Sequence, residues 1–224
     1  MTFSILGRCA ATGQFGMAVS SSSPAVAARC AHARAGVGAV ASQNVTDPRL
    51  GPHVLDAMAN GMGADTAIAS VMANSSHTAF RQLLAIDHTG RTAIFSGKNT
   101  LGINAEYQSQ DAAAAGNLLA NKTIPKSMVT AFHDTKGHLG DKLIAAMQAG
   151  LDAGGEAGEV HSAGLLIVND QDWPLAELRC DWTEDCPIAA ISVAWDVYSP
   201  QMNDYVIRAL NPDSAPSYGV PGDL

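Results

Sequence analysis

The chain has 224 residues, of which 47% are apolar and 15% charged, with a formal net charge of −8. Such a chain is long enough to bury a large core and too apolar to be disordered. Its acidic balance, with no local lysine or arginine cluster, excludes an electrostatic grip on nucleic acid or an anionic membrane.

Four cysteines, Cys9, Cys30, Cys180 and Cys186, form no C-x-x-C pair and fit neither a zinc ribbon nor a disulfide framework. The first residues lack a basic-then-apolar pattern, and no run of 18 apolar residues occurs. A cytoplasmic protein is expected.

Residues 2–9 read as a strand, 10–13 as a turn and 15–20 as a second strand, so a hairpin opens the chain. The alanine-rich stretch 24–35 fits either a loop or a helical turn. Residues 36–42 are a run of small apolar residues, in which Gly36 and Gly38 imply close approach by a backbone or a ligand. A helix is expected from Pro52 to Gly61 and another over 64–74, both with apolar residues at helical spacing. Strands follow at 81–87 and 91–96, then a polar stretch without period at 98–111, then a strand within 112–119. Pro125 opens a further helix. Asp141 stands in the first turn of the next, which Gly154-Gly155 ends. Residues 161–168 and 175–181 form a third strand pair. The last helix begins at Pro187 and breaks at Pro200. A Pro- and Gly-rich tail from Asn211 is expected to be extended, disordered or laid over a neighbouring surface.

Strands and helix pairs thus alternate, which two face-to-face sheets covered outside by helices would satisfy. No linker or repeat interrupts the chain, so residues 1–224 read as one domain, with a C-terminal helix and extended tail from about 187 to 224.

Thr2 carries the chemical signal. With Met1 removed, it holds a hydroxyl and a free α-amine on one residue. The amine has a reference pKa of ~7.7–8.0, so near neutrality part of it can accept the proton of its own hydroxyl. That combines nucleophile and base in one residue. Many chains begin Met-Thr without using it, so the dipeptide needs support from its surroundings.

Other signatures are weaker. The seven histidines include no H-x-x-x-H pair, and zinc is not expected. His133 and His138 flank Gly137 and read as a solvated loop; His161-Ser162 reads as a polar site group or, preferably, a strand entry. There is no G-x-S-x-G elbow, no P-loop and no dinucleotide fingerprint, so no cofactor is expected. The expected partners are a small-molecule substrate and further copies of the chain, as a dimer or higher homo-oligomer, with no nucleic acid and no membrane.

Thr2 to Ile5 after Met1, Gly13 to Val19, Arg34 to Gln43 (RAGVGAVASQ), Gly116-Asn117, and Ala149-Gly150 to Gly154-Gly155 resemble a bacterial family. It is known as domain of unknown function 1028 and is described as N-terminal-nucleophile hydrolases. The resemblance spans Thr2 to about Val168. It implies a four-layer αββα sandwich of two mainly antiparallel sheets and a hydrolase acting on a C–N amide bond of a small non-peptide substrate. It places the end of the second strand, Ser20 and Ser21, beside Thr2, and the end of the strand Ser42-Gln43-Asn44 near the same point. Asn44 and Asn117 then become oxyanion donors, Gln43 and His32 substrate contacts, and Arg34 an anchor for a substrate carboxylate. Turn formation and capping are the competing roles of Gln43, Asn44 and Asn117. Where proteasome-like relatives keep an acid and a lysine, this sequence offers serines and, as cations or tuning groups, Arg34 or His32. The alternative is a member of the same fold that retains Met1, either cyclohydrolase-like or a non-catalytic small-molecule binder.

Overall fold

A computed structural model describes residues 2–220. Met1 and the end of the tail, with Pro221 and Gly222, lie outside the described residues.

The opening hairpin is β1 (Thr2–Arg8) and β2 (Phe15–Ser21). The stretch left open between loop and helix holds a four-residue helix, α1 (Ala27–Cys30), and a short strand, β3 (Ala31–Arg34). The small apolar run is β4 (Gly38–Asn44). At Gly38, φ is +151° and an added Cβ would run into the Ile86 carbonyl of the next strand. The close approach inferred from that glycine is therefore by a neighbouring backbone, not a ligand.

Two helices follow, α2 (Leu50–Ala59) and α3 (Ala64–Ala73), then β5 (Arg81–Asp87) and β6 (Thr92–Ser96). The polar stretch hides β7 (Ala105–Ser109), which pairs with β8 (Ala112–Asn117). Next come α4 (Ile124–Asp134) and α5 (Leu139–Asp152), β9 (Ser162–Val168) and β10 (Ala176–Cys180). The chain closes with α6 (Pro187–Tyr198) and α7 (Met202–Leu210), separated at Pro200.

His133 and His138 do not form a solvated loop. His133 sits in the last turn of α4 and bonds Ser109 Oγ at 2.8 Å. His138 caps α5 by accepting from Gly140 N–H at 3.1 Å, while Asp141 accepts from His138 N–H at 2.8 Å. Its ring stacks on Trp195, and burial pushes its pKa down although Asp141 pulls the other way.

The strands form two antiparallel sheets, one in the order β10-β9-β2-β1-β8-β7 and the other β3-β4-β5-β6. Side chains alternate across each strand, so each sheet has two distinct faces. Phe3, Ile5, Ala18, Ala114 and Leu165 face α4, α5 and α6 on the outside of the larger sheet. Leu6, Met17 and Val19 face inward and meet Ala39, Ala41, Leu84 and Ile86 of the smaller sheet. Val40, Leu83 and Ala85 face α2 and α3 on the far side. Helices, sheet, sheet and helices stack as four layers, the αββα sandwich expected.

Candidate functional site

The layer between the sheets is apolar along most of its length and turns polar at one end. The change follows from β1 itself. Alternation sends Thr2, Ser4 and Leu6 to the inner face while Phe3 and Ile5 go to the helices. Thr2 stands opposite Asn117 of β8, and Phe3 opposite Ser20 of β2, so Ser21 falls beside Thr2. Ser21 in turn pairs with Ser162 of β9. Asn117, Thr2, Ser21 and Ser162 therefore form one polar row across four adjacent strands, every member buried.

Thr2 Oγ1 lies 3.4 Å from Ser21 Oγ, which lies 2.9 Å from Ser23 Oγ. The half-buried Arg29 guanidinium donates to Ser23 Oγ at 3.0 Å and is held by the carbonyls of Pro24 and Ala25. A file of three hydroxyls thus links Thr2 to a cation. Ser162 Oγ donates to the Ser23 carbonyl at 2.6 Å and accepts from Val26 N–H, fixing the loop that carries Ser23.

A second buried network ties this row to the smaller sheet. Ser4 Oγ donates to Gln43 Oε1 at 2.7 Å, and Gln43 Nε2 donates to Gln82 Oε1 at 2.8 Å and to the Ala115 carbonyl at 3.2 Å. Gln82 Nε2 donates to the Gly116 carbonyl and to Ser96 Oγ, while Gln82 Oε1 also accepts from Asn117 Nδ2 at 3.2 Å. The two backbone carbonyls accept only, so they fix which way both glutamine amides point. Asn117 must then present its nitrogen to Gln82. Its Oδ1 is buried without a hydrogen-bond partner among the described residues. The residue after it, Leu118, is held at φ +52°, a conformation a branched side chain adopts only under constraint.

Just beyond the row lies Glu156, whose backbone bridges Leu119. It is 5% exposed, and its Oε2 accepts from Ser22 N–H at 3.2 Å. Burial pushes its carboxyl up to about 7, against the pull of the chain's N-terminal ammonium, the Ser22 hydrogen bonds and His161. His161 enters β9 as expected and bonds backbone to backbone with Ser21, and its ring stacks on Trp182 at 4.4 Å.

The residues singled out in the sequence divide sharply. Thr2, Ser21, Gln43 and Asn117 come together. Ser20 does not join them: it shares the face of Phe3 and Ala18, and its hydroxyl is spent on the Ser162 carbonyl. Arg34 pairs with Gly38 at the other end of β4, roughly 17 Å from Gln43 at ~3.4 Å per residue, and is ion-paired with Asp56 of α2 at 2.8 Å. His32 points to the same outer face, where its ring fills the space beside Gly51 of α2, and burial lowers its pKa. Neither can tune or anchor anything at Thr2. Asn44 is near, but at φ +71° its amide clamps the Phe80 carbonyl and Leu101 N–H, so it forms a turn instead of offering a donor. The Gln43 amide is wholly engaged in the buried network and does not face a ligand.

Sequence reasoning missed Ser4, Gln82, Ser23, Arg29, Ser162 and Glu156. The alternation Thr2, Ser4 against Phe3, Ile5 was a usable signal for the first of these. Nothing local marks Glu156.

An open cleft lies elsewhere in the molecule. It measures about 420 Å³, is lined by Asp47, Arg49, His53, Ser70 and Asn74, and sits against α2 and α3 on the outer side. There the Arg49 hydrogen bond holds Asp47 down to about 2, a solvated ion pair rather than reactive groups. Among the described residues no group of three or more His, Cys, Asp and Glu could hold a metal ion, and no helix is long and apolar enough to cross a membrane.

Comparison with known proteins places these features in a family. No protein of curated function matches the sequence. Among solved structures, protein SPO2555 from Silicibacter pomeroyi, itself assigned to DUF1028, is 29% identical, with a TM-score of 0.82 over 88% of this chain and 89% of its own. Anbu, an ancestral beta-subunit, from Yersinia bercovieri is 10% identical, with a TM-score of 0.43 over 90% of this chain and 96% of its own. A Gly-1 mutant of Anbu from a Hyphomicrobium strain is 12% identical, with a TM-score of 0.41 over the same shares. The model of the family of unknown function DUF1028 matches residues 2–191, reaching into α6 and beyond the Val168 limit of the sequence resemblance. The chain belongs to the DUF1028 family.

Proposed function

We propose that this protein is an amidohydrolase of the N-terminal-nucleophile kind, cleaving the C–N bond of a small non-peptide amide with Thr2 as nucleophile after removal of Met1. The observation that carries this reading is the position of Thr2: the first residue of an interior strand, its hydroxyl turned into a buried polar row beside Ser21. Fold alone licenses no reaction.

In this reading the Thr2 α-amine takes the proton of Oγ1 as the oxygen attacks the substrate carbonyl carbon. The tetrahedral oxyanion meets the second amide hydrogen of Asn117, whose first is given to Gln82. One such donor lowers a barrier by ~2.7–4 kcal/mol. The C–N bond then breaks, and the departing nitrogen takes the proton back from the Thr2 ammonium. Water, deprotonated by the same amine, hydrolyses the acyl ester and restores Oγ1. Ser21 and Ser23 relay the Arg29 charge toward Thr2, the part that the sequence reading gave to Arg34 or His32.

The test has two parts. Intact mass should show loss of one methionine, and a panel of small ureido and acylamino acids should yield ammonia or amine. Thr2→Ala should abolish that turnover with an unchanged circular dichroism spectrum. Turnover in Thr2→Ala, or active protein that retains Met1, would exclude the mechanism and favour the cyclohydrolase-like role, while Met1-retaining protein without turnover would favour the binding role.

A further inference from the structure

We propose that Glu156 is the counter-ion of the Thr2 α-amine, a positioning residue that holds the ammonium at the end of the polar row. This rests on the Thr2 reading above.

The sheet register brings the two groups together. The α-nitrogen is the first atom of β1 and leads away from Thr2 toward the residues that follow its cross-strand neighbours. Those neighbours are Ser21 on β2 and Asn117 on β8, so the residues that follow are Ser22 and Leu118. Glu156 is fastened on both sides of that point. Its Oε2 accepts from Ser22 N–H at 3.2 Å, and its backbone bridges Leu119, directly after Leu118. The carboxylate is thus pinned across the end of β1 from both flanking strands.

The charge environment points the same way. Glu156 Oε1 is buried and has no hydrogen-bond partner among the described residues. A buried carboxylate oxygen in that condition is costly unless it meets a cation or a proton. Two guanidinium groups near the row are committed elsewhere: Arg29 to Ser23 and two carbonyls, Arg179 to Asp181 at 2.9 Å. Among the described residues the charged group that acts on Glu156 is His161, just before β9, while Ser22, just after β2, gives it hydrogen bonds. His161 directs Nδ1 to the Thr183 carbonyl at 2.8 Å. In the chain processed to Thr2, the α-amine at the end of β1 is the cation placed to pair with Glu156. Such a pair would orient the amine toward Oγ1 and set the pH at which it becomes a base.

Periodate tests this without a substrate. It cleaves an N-terminal threonine between the carbons bearing hydroxyl and amine, and only while the amine is free and unprotonated. The rate is followed against pH by mass spectrometry of the N-terminal peptide, in wild type and in Glu156→Gln. Loss of the carboxylate should lower the apparent pKa of the amine, so that Glu156→Gln is oxidised about threefold faster near pH 8, where a carboxyl raised to about 7 is ionised. Glu156→Asp, which keeps the charge, should follow the wild-type profile. A measurement on the wild-type chain alone guards against a variant that fails to fold: the Glu156 carboxyl, followed by ¹³C NMR, should titrate higher after acetylation of the Thr2 amine. Superimposable periodate profiles for wild type and Glu156→Gln, or an unmoved carboxyl titration, would overturn the pairing while leaving Thr2 as nucleophile. Absence of any periodate cleavage in wild type would overturn the Thr2 reading itself.

Discussion

Gln82 shows what a buried polar side chain does when every atom is engaged. Its oxygen accepts from Gln43 and Asn117, and its nitrogen reaches the Gly116 carbonyl and Ser96. Replacing it with alanine strands the Gly116 carbonyl and Asn117 Nδ2, at about 1–3 kcal/mol for each unsatisfied group. Gln82→Ala should therefore lower the urea midpoint by the equivalent of about 3 kcal/mol. It should also reduce turnover at least tenfold on any substrate found, because Asn117 loses the contact that aims it. An unchanged urea midpoint would show that water replaces the amide. Thr2 and Ser4 were readable at this scale from the alternation along β1. Glu156 was not, because its position depends on Ser22, after β2, and Leu119, after β8, over a hundred residues away in sequence for one and nearly forty for the other.

At the scale of elements, the apolar period located most helices and strands, since those residues face one of three apolar layers. It failed at β7, whose side chains are mostly exposed. That strand is at the edge of the larger sheet and is held by backbone pairing with β8, a force that leaves no apolar pattern. The junction of β5, β6 and α3 is held by Asp87. Its carboxylate accepts from Thr89 N–H and hydroxyl at 2.8 and 2.6 Å, from the first amide of α3 at 3.2 Å, and from Arg91. Burial works to raise this carboxyl, but those hydrogen bonds and the Arg91 charge prevail and hold it below its ordinary value. The folded pKa is depressed, so the stabilisation is present above the unfolded value and is lost as pH falls through the folded one. Asp87→Ala should cost about 3 kcal/mol at pH 7, with two amides stranded at roughly 1–3 each. The gap between wild type and variant, measured by urea unfolding, should narrow below pH ~4. A gap independent of pH would assign the loss to packing alone.

At the scale of the molecule, each sheet buries one face against the other and the opposite face under helices, so no layer holds a complete core by itself. We propose that the chain unfolds as one unit; coincident urea transitions by tryptophan fluorescence and far-ultraviolet dichroism would show it, and separated transitions would divide it. The tail lies over its own α7: Arg208 donates to the carbonyls of Pro216 and Ser217 and covers the Tyr218 ring at 3.9 Å. Val193 and Val197 on α6 remain 64% exposed. A homo-oligomer remains a proposal, and sedimentation equilibrium should give a mass of at least twice 23.1 kDa. A monomer at micromolar concentration would end it.

The amino-acid sequence by itself determined the order of strands and helices, the layered architecture and the residue with reactive potential, because local periodicity and side-chain chemistry are written along the chain. Only the tertiary structure decided who stands beside Thr2. It removed Ser20, Arg34 and His32 by the face or end of the strand they occupy, turned Asn44 into a clamp, and brought in Gln82, Arg29, Ser162 and Glu156. The physical reason is register: which side chains share a row is set by the pairing of strands distant in sequence, and a shift of one residue would turn each of them to the opposite face.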